Sequence, residues 1–128
     1  MSGRRDIYQK PPDTGRFVRR LKEMGIFEQV ARLIRPRRVS VEALISRDRH
    51  KSVSTARHEI MYWIRTKLKY ADGTPWSYPE IGKLFERDHT TVMQAYRKVL
   101  ATNPNFGASE YPQGSDDPYD ISEWIVRF

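Results

Sequence analysis

The sequence predicts an all-α domain, a helical bundle of four to six helices that contains a helix-turn-helix. Three observations carry this. Apolar residues recur at helical spacing in segment after segment. Two such segments, 77 to 85 and 89 to 99, are separated by a three-residue turn, the arrangement of a helix-turn-helix. At 128 residues, 38% of them apolar, the chain holds enough material for one core and too little for two.

The elements follow in order. MSGRRDIYQKPPDTG is a basic arm in which Pro11 and Pro12 forbid regular helix. From Arg16, the spacing of Phe17, Val18, Leu21 and Met24 predicts a helix over 16 to 24, broken at Gly25. FEQVARLI, 27 to 34, is a second helix that should stop before Pro36. Ser40 is placed to cap a short helix, VEALI, which leads into a polar and basic loop, SRDRHKSVS. TARHEIMYWIRTKLKY is the longest periodic segment, with Ile60, Met61, Ile64 and Leu68 on one face and Ser54 or Thr55 as N-cap.

A turn, ADGTPW, separates it from SYPE, which has the form of a capping box: Ser77 accepts from the third amide, Glu80 reaches back, and Pro79 suits the first turn. Ile81, Leu84 and Phe85 form that helix's apolar face, and after ERD the next helix carries Val92, Ala95, Tyr96 and Val99. The stretch from 101 to 120 is rich in turn formers and acids and should lack regular structure. DISEWIVRF, with Asp120 and Glu123 as a capping pair, predicts a short amphipathic helix that docks on its own domain or on a partner. The chain thus divides into a basic arm and short helix (1 to 26), a helix-turn-helix domain (27 to 100) and an acidic tail with a terminal helix (101 to 128).

Charge points to the partner. The formal net charge is +7, and it is uneven: residues 1 to 70 hold 18 Lys or Arg against 7 Asp or Glu, whereas residues 71 to 128 hold 5 against 9. A basic half of this kind is built to meet an anion, with nucleic acid the leading candidate. There is no cysteine, no apolar leader and no run long enough to span a bilayer, which gives the expectation of a soluble, cytoplasmic, nucleoid-associated protein. No enzyme and no cofactor are expected. None of the seven glycines begins a G-x-x-x-x-G-K-[ST] loop, Tyr62 stands where a zinc-protease helix beginning at His58-Glu59 needs its second histidine, and His50, His58 and His89 make no metal constellation.

SYPEIGKLFERDHTTVMQAYRKV, preceded by SRDRHKSVSTARHEIMYWIR, resembles the C-terminal DNA-binding domain (domain IV) of the bacterial replication initiator DnaA. Its signature runs close to PEIG...F...RDHTTV...A..K. The resemblance covers residues 41 to 100 well and 27 to 40 weakly. It implies that Asp88, His89 and Thr90 face base edges in the major groove, that Thr91 bonds a phosphate, and that Arg49 enters the minor groove. The chemistry agrees: a carboxylate accepts from cytosine N4, an imidazole donates to a base acceptor, a threonine methyl lies against the thymine methyl, and a narrow A·T-rich minor groove attracts a guanidinium. Asp88 is also the natural N-cap of the recognition helix. By the same resemblance Arg47, Lys51, Arg57 and Arg65 contact phosphates, with Lys98, Ser77 and Tyr78 as further backbone candidates.

Three features depart from the family. Asp48 stands beside Arg49 where a base is usual, leaving open a pair between the two. Glu86 alone fills a turn that usually holds Gly-Gly. KYADGTPW lengthens a tight connection, and Tyr70 and Trp76 are expected to pack it down. The resemblance implies a monomeric, sequence-specific binder of double-stranded DNA at a DnaA-box-like site, regulating replication initiation or transcription without ATPase activity. The alternative is an adaptor that holds a replication or transcription protein through its N- or C-terminal helix, with accessory DNA affinity.

Overall fold

Asp13 begins the first helix. Its Oδ1 accepts from the Arg16 amide at 2.9 Å, so α1 runs Thr14–Glu23, two residues earlier than the apolar spacing alone suggests. In this computed structural model residues 12 to 110 are described; the residues before them, and the tail from 111 with the helix expected over 120 to 128, lie outside the described residues. Phe17 and Leu21 of α1 are fully buried, and Phe17 meets the ring of Phe85 at 5.2 Å. Phe17 and Leu21 of α1 are therefore committed to the chain's own core.

Gly25, at φ 74, turns the chain into α2, Phe27–Ile34, the span its apolar spacing predicts. Pro36 does not stop the helical path. It sits in the first turn of a 3-10 helix, Arg35–Arg37, where no amide is needed from it, and the turn closes at Arg38 in the left-handed region (φ 58, ψ 38). VEALI becomes a second 3-10 helix, Glu42–Ile45, with Ser40 Oγ accepting from the Ala43 amide at 3.2 Å.

The central helix α3 runs Lys51–Lys67, beginning four residues before Thr55. Ser54 and Thr55 lie inside it and do not cap it. The buried face extends back to Val53 and Ala56, so packing favours helix where local polarity suggests loop. The start is marked instead by Asp48, whose Oδ1 accepts from the His50 amide at 2.9 Å, and the basic loop shrinks to residues 46 to 50. Ile60, Met61, Trp63 and Ile64 of α3 are fully buried at the centre of the core. After α3 the chain reverses through Gly73 (φ 88), and Tyr70 stacks on Trp76 at 5.7 Å, packing the inserted connection down.

Helix α4, Tyr78–Phe85, starts at Ser77, whose Oγ accepts from the Glu80 amide at 3.2 Å. The reciprocal half of the capping box is not made: the Ser77 amide donates to the Tyr70 hydroxyl at 3.4 Å, and Glu80 lies 3.9 Å from Lys83. The turn to α5, His89–Thr102, passes through Glu86 at φ 56. Arg87 N donates to Gly82 O at 2.8 Å, and a Cβ on Gly82 would stand 2.5 Å from Arg87 O, so only glycine lets the turn close this tightly. Glu86 also receives the start of α1, accepting from Asp13 N at 3.3 Å and lying 3.9 Å from Arg16.

Residues 103 to 110 form turns without helix or strand, yet they cover α3. Tyr62 Oη donates to Pro104 O at 2.7 Å, Trp63 Nε1 to Glu110 O at 3.0 Å, and Asn103 Nδ2 to the buried Glu59 carboxylate at 3.1 Å. Gly107, at φ 67, lies against the Trp63 indole, where a β-carbon would overlap the ring. The described residues thus hold five α-helices, and none of these is long and apolar enough to cross a membrane.

Candidate nucleic-acid interface

The amino end of α5 carries three consecutive exposed side chains, Asp88, His89 and Thr90, with Thr91 half-buried behind them. Asp88 occupies the N-cap position with extended backbone (φ −65, ψ 151), but its carboxylate accepts from no helix amide. The Thr91 and Val92 amides donate to the Asp88 carbonyl at 3.1 and 3.3 Å, while Asp88 Oδ2 accepts from Thr90 Oγ1 at 3.3 Å. The expected side-chain cap is corrected accordingly: the carboxylate takes no helix amide and remains an exposed acceptor.

Next to this helix end lies the basic loop, and two arginines fasten the two together. Arg57, on α3, is 7% exposed; its Nε donates to Leu44 O at 2.7 Å and its Nη2 to Ser46 O at 2.9 Å and Asp48 O at 3.2 Å. Arg87, in the helix-helix turn, donates to Phe85 O and to the same Ser46 O, both at 2.9 Å. Burial lowers the pKa of both guanidiniums, helped at Arg57 by the charge of Arg87 and at Arg87 by that of Arg47. Arg57, expected to contact phosphate, is buried and bonded within the fold, where a guanidinium taken this far from water needs its carbonyl acceptors.

The anchored loop presents Arg47 and Arg49, both exposed, and Lys51 follows at the start of α3, exposed as well. Asp48 does not pair with Arg49. Its Oδ1 lies 2.6 Å from His50 Nδ1; the His50 amide and ring hold the carboxyl pKa below its ordinary value, and Asp48 in turn raises that of His50. Among the described residues Arg49 has neither ion-pair nor hydrogen-bond partner, so the local acid leaves its guanidinium free.

The remaining candidates divide. Lys98 is exposed on α5. Arg65 is engaged within the fold: Nη1 donates to Trp76 O at 2.7 Å and the guanidinium lies over the Tyr78 ring, 4.3 Å from its centroid. Ser77 is the cap of α4, and half-buried Tyr78 stands edge-on to Tyr96 at 6.1 Å. Half-buried His58 is pushed below its ordinary pKa by burial and by the charges of Lys98, Arg57 and Arg87. Arg87, the first residue of the RDHTTV run, is given no role of its own by the sequence; its hydrogen bond to Ser46 O ties the helix-helix turn to the basic loop. Among the described residues no group of acids and histidines could hold a metal ion.

Residues 26–99 match the model of the family described as the bacterial DnaA protein helix-turn-helix. Over 74 residues the chain is 39% identical to the chromosomal replication initiator protein DnaA of Rhizobium johnstonii, a stretch that makes up 56% of this chain and 14% of the relative. The matched span holds the basic loop, the anchoring arginines, α3, α4 and all of α5 but its last three residues; the chain belongs to the bacterial DnaA helix-turn-helix family of DNA-binding domains.

Proposed function

We propose that this domain binds double-stranded DNA as a monomer at a short, asymmetric, A·T-containing site of the DnaA-box type, and that it regulates replication initiation or transcription by occupying such sites at the nucleoid, with no ATPase step of its own. The observation that carries this reading is the junction at Ser46, which holds the outward-facing Asp88, His89 and Thr90 next to the loop bearing Arg49. In this reading the α5 trio contacts base edges in the major groove while Arg49 enters the neighbouring minor groove. Arg47, Lys51, Thr91 and Lys98 contact phosphates, Tyr78 lies at the margin, and Arg57, Arg65 and Ser77 act by positioning the others.

The test is selection of bound sequences from random duplex DNA at stated salt, followed by affinity across a salt series. With three basic side chains on phosphates, log K against log[salt] is expected to fall with a slope of roughly −2.7, at about 0.9 per contact. A single enriched motif with that slope supports the reading. A slope near zero with no enriched motif refutes it.

A further inference from the structure

Four arginines crowd the corner formed by α2 and the first 3-10 helix, and their partners set them apart. Arg32 pairs with Glu110, and Arg37 makes a two-pronged bond to the buried carboxylate of Glu59, both arms at 2.6 Å. Arg35 and Arg38 are exposed and have no side-chain partner among the described residues. Their placement is nonetheless fixed: Arg37 clamps the turn to α3, and the Arg38 amide, with Arg38 in the left-handed region, donates to Arg35 O at 2.9 Å. Between the two lies a shallow surface groove of about 360 Å³, lined also by Ser40 and by the half-buried apolar Ala31 and Val39.

We propose that Arg35 and Arg38 form a second contact to the DNA backbone, gripping duplex that flanks the base-read site. This rests on the DNA-binding reading above. Two guanidiniums beside a partly apolar groove suit a sugar-phosphate strand, whose phosphates meet the arginines and whose deoxyribose faces meet the half-buried Ala31 and Val39. Position also supports it. Lys51, Thr55 and Glu59 follow one another at four-residue intervals along one face of α3, so the corner clamped at Glu59 lies roughly 12 Å beyond Lys51, at 1.5 Å per residue. Along a duplex that is about 3 to 4 base pairs past the phosphate met by Lys51, at 3.4 Å each.

The experiment compares the full chain with an Arg35→Gln/Arg38→Gln variant on two duplexes carrying the same selected motif, one ending at the motif and one extended by about ten base pairs on each side. On the extended duplex the variant is expected to bind about five- to tenfold more weakly near 0.1 M salt, with its salt slope reduced by about 1 to 2. On the short duplex it should match the parent, and Arg35→Lys/Arg38→Lys should retain most of the extended-duplex affinity. Equal affinity of parent and Gln variant on both duplexes overturns the corner while leaving the DNA reading intact, as does an equal loss on both. A rise in affinity for either duplex likewise overturns the corner as a DNA contact. Failure of the parent to bind either duplex overturns the underlying DNA reading, and the corner with it.

Discussion

The guanidinium groups of Arg57 and Arg87 meet on one acceptor, each donating to the carbonyl oxygen of Ser46 at 2.9 Å. One arginine comes from the central helix and the other from the helix-helix turn. A single peptide oxygen thereby sets the register between the loop of Arg49 and the helix end of Asp88. Like charges are held close there only because carbonyl dipoles surround them.

Arg57→Ala and Arg87→Ala should each destabilise the fold by about 1.5 to 3 kcal/mol, since each removes charged hydrogen bonds to partly buried carbonyls. Because the two share an acceptor, the double variant should depart from additivity by at least about 0.5 kcal/mol. Urea unfolding of the four proteins measures this. Strict additivity would mean that the junction is not a unit.

Asp88→Ala should cost no more than about 0.5 kcal/mol, the value of a carboxylate near a helix amino end, because no amide bond is lost with it. Asp88→Asn should be neutral in stability yet change the preferred base, shifting discrimination there by about 1 to 3 kcal/mol. Melting curves and repeated sequence selection on both variants check the pair. An unchanged motif for Asp88→Asn would leave base reading to His89 and Thr90.

Glu86→Gly should raise stability by about 0.5 kcal/mol. Leaving the left-handed region to glycine relieves about 1 kcal/mol, against which stand the exposed contacts to Asp13 and Arg16, together about 0.5 kcal/mol. A midpoint shift in urea at constant slope reads the change. Destabilisation would show that Glu86 is held there by its contacts.

His50 and His58 should titrate with opposite signs. His50, raised above 6.5 by Asp48, contributes stability that is present below about pH 6.5 and lost as pH rises through its folded-state pKa. His58, lowered from 6.5 by burial and neighbouring cations, resists a proton that the unfolded chain accepts, so stability falls as pH drops below 6.5. Melting temperatures from pH 8 to 5 should show a steeper acid-side loss for His50→Gln than for the parent and a shallower one for His58→Gln. Parallel profiles for all three proteins would contradict both assignments.

Much of this was legible in the sequence because period and capping are local. The apolar spacing gave α2 outright, and Ser77 announced α4. The start of α3 was misplaced because Ser54 and Thr55 look like caps, whereas the burial of Val53 that overrides them depends on distant residues. The trio on α5 is picked out in the sequence by its resemblance to the family signature, and folding adds that all three side chains are exposed. The internal bonds of Arg57 and Arg65 left no trace in the sequence, since each is made to a carbonyl or a ring brought close by folding. The docking of residues 103 to 110 left no periodic signal, because one glycine and a few single hydrogen bonds accomplish it.

That docking bears on how the domain can be excised and transplanted. The family match ends at residue 99, but a fragment cut there would strip the Glu110 carbonyl from Trp63, the Pro104 carbonyl from Tyr62 and the Asn103 amide from Glu59, laying bare one side of the central helix. The smallest portable unit reaches residue 110, so a chimaera that borrows only the recognisable helix-turn-helix would inherit its reading surface without the clasp that keeps the supporting helix dry.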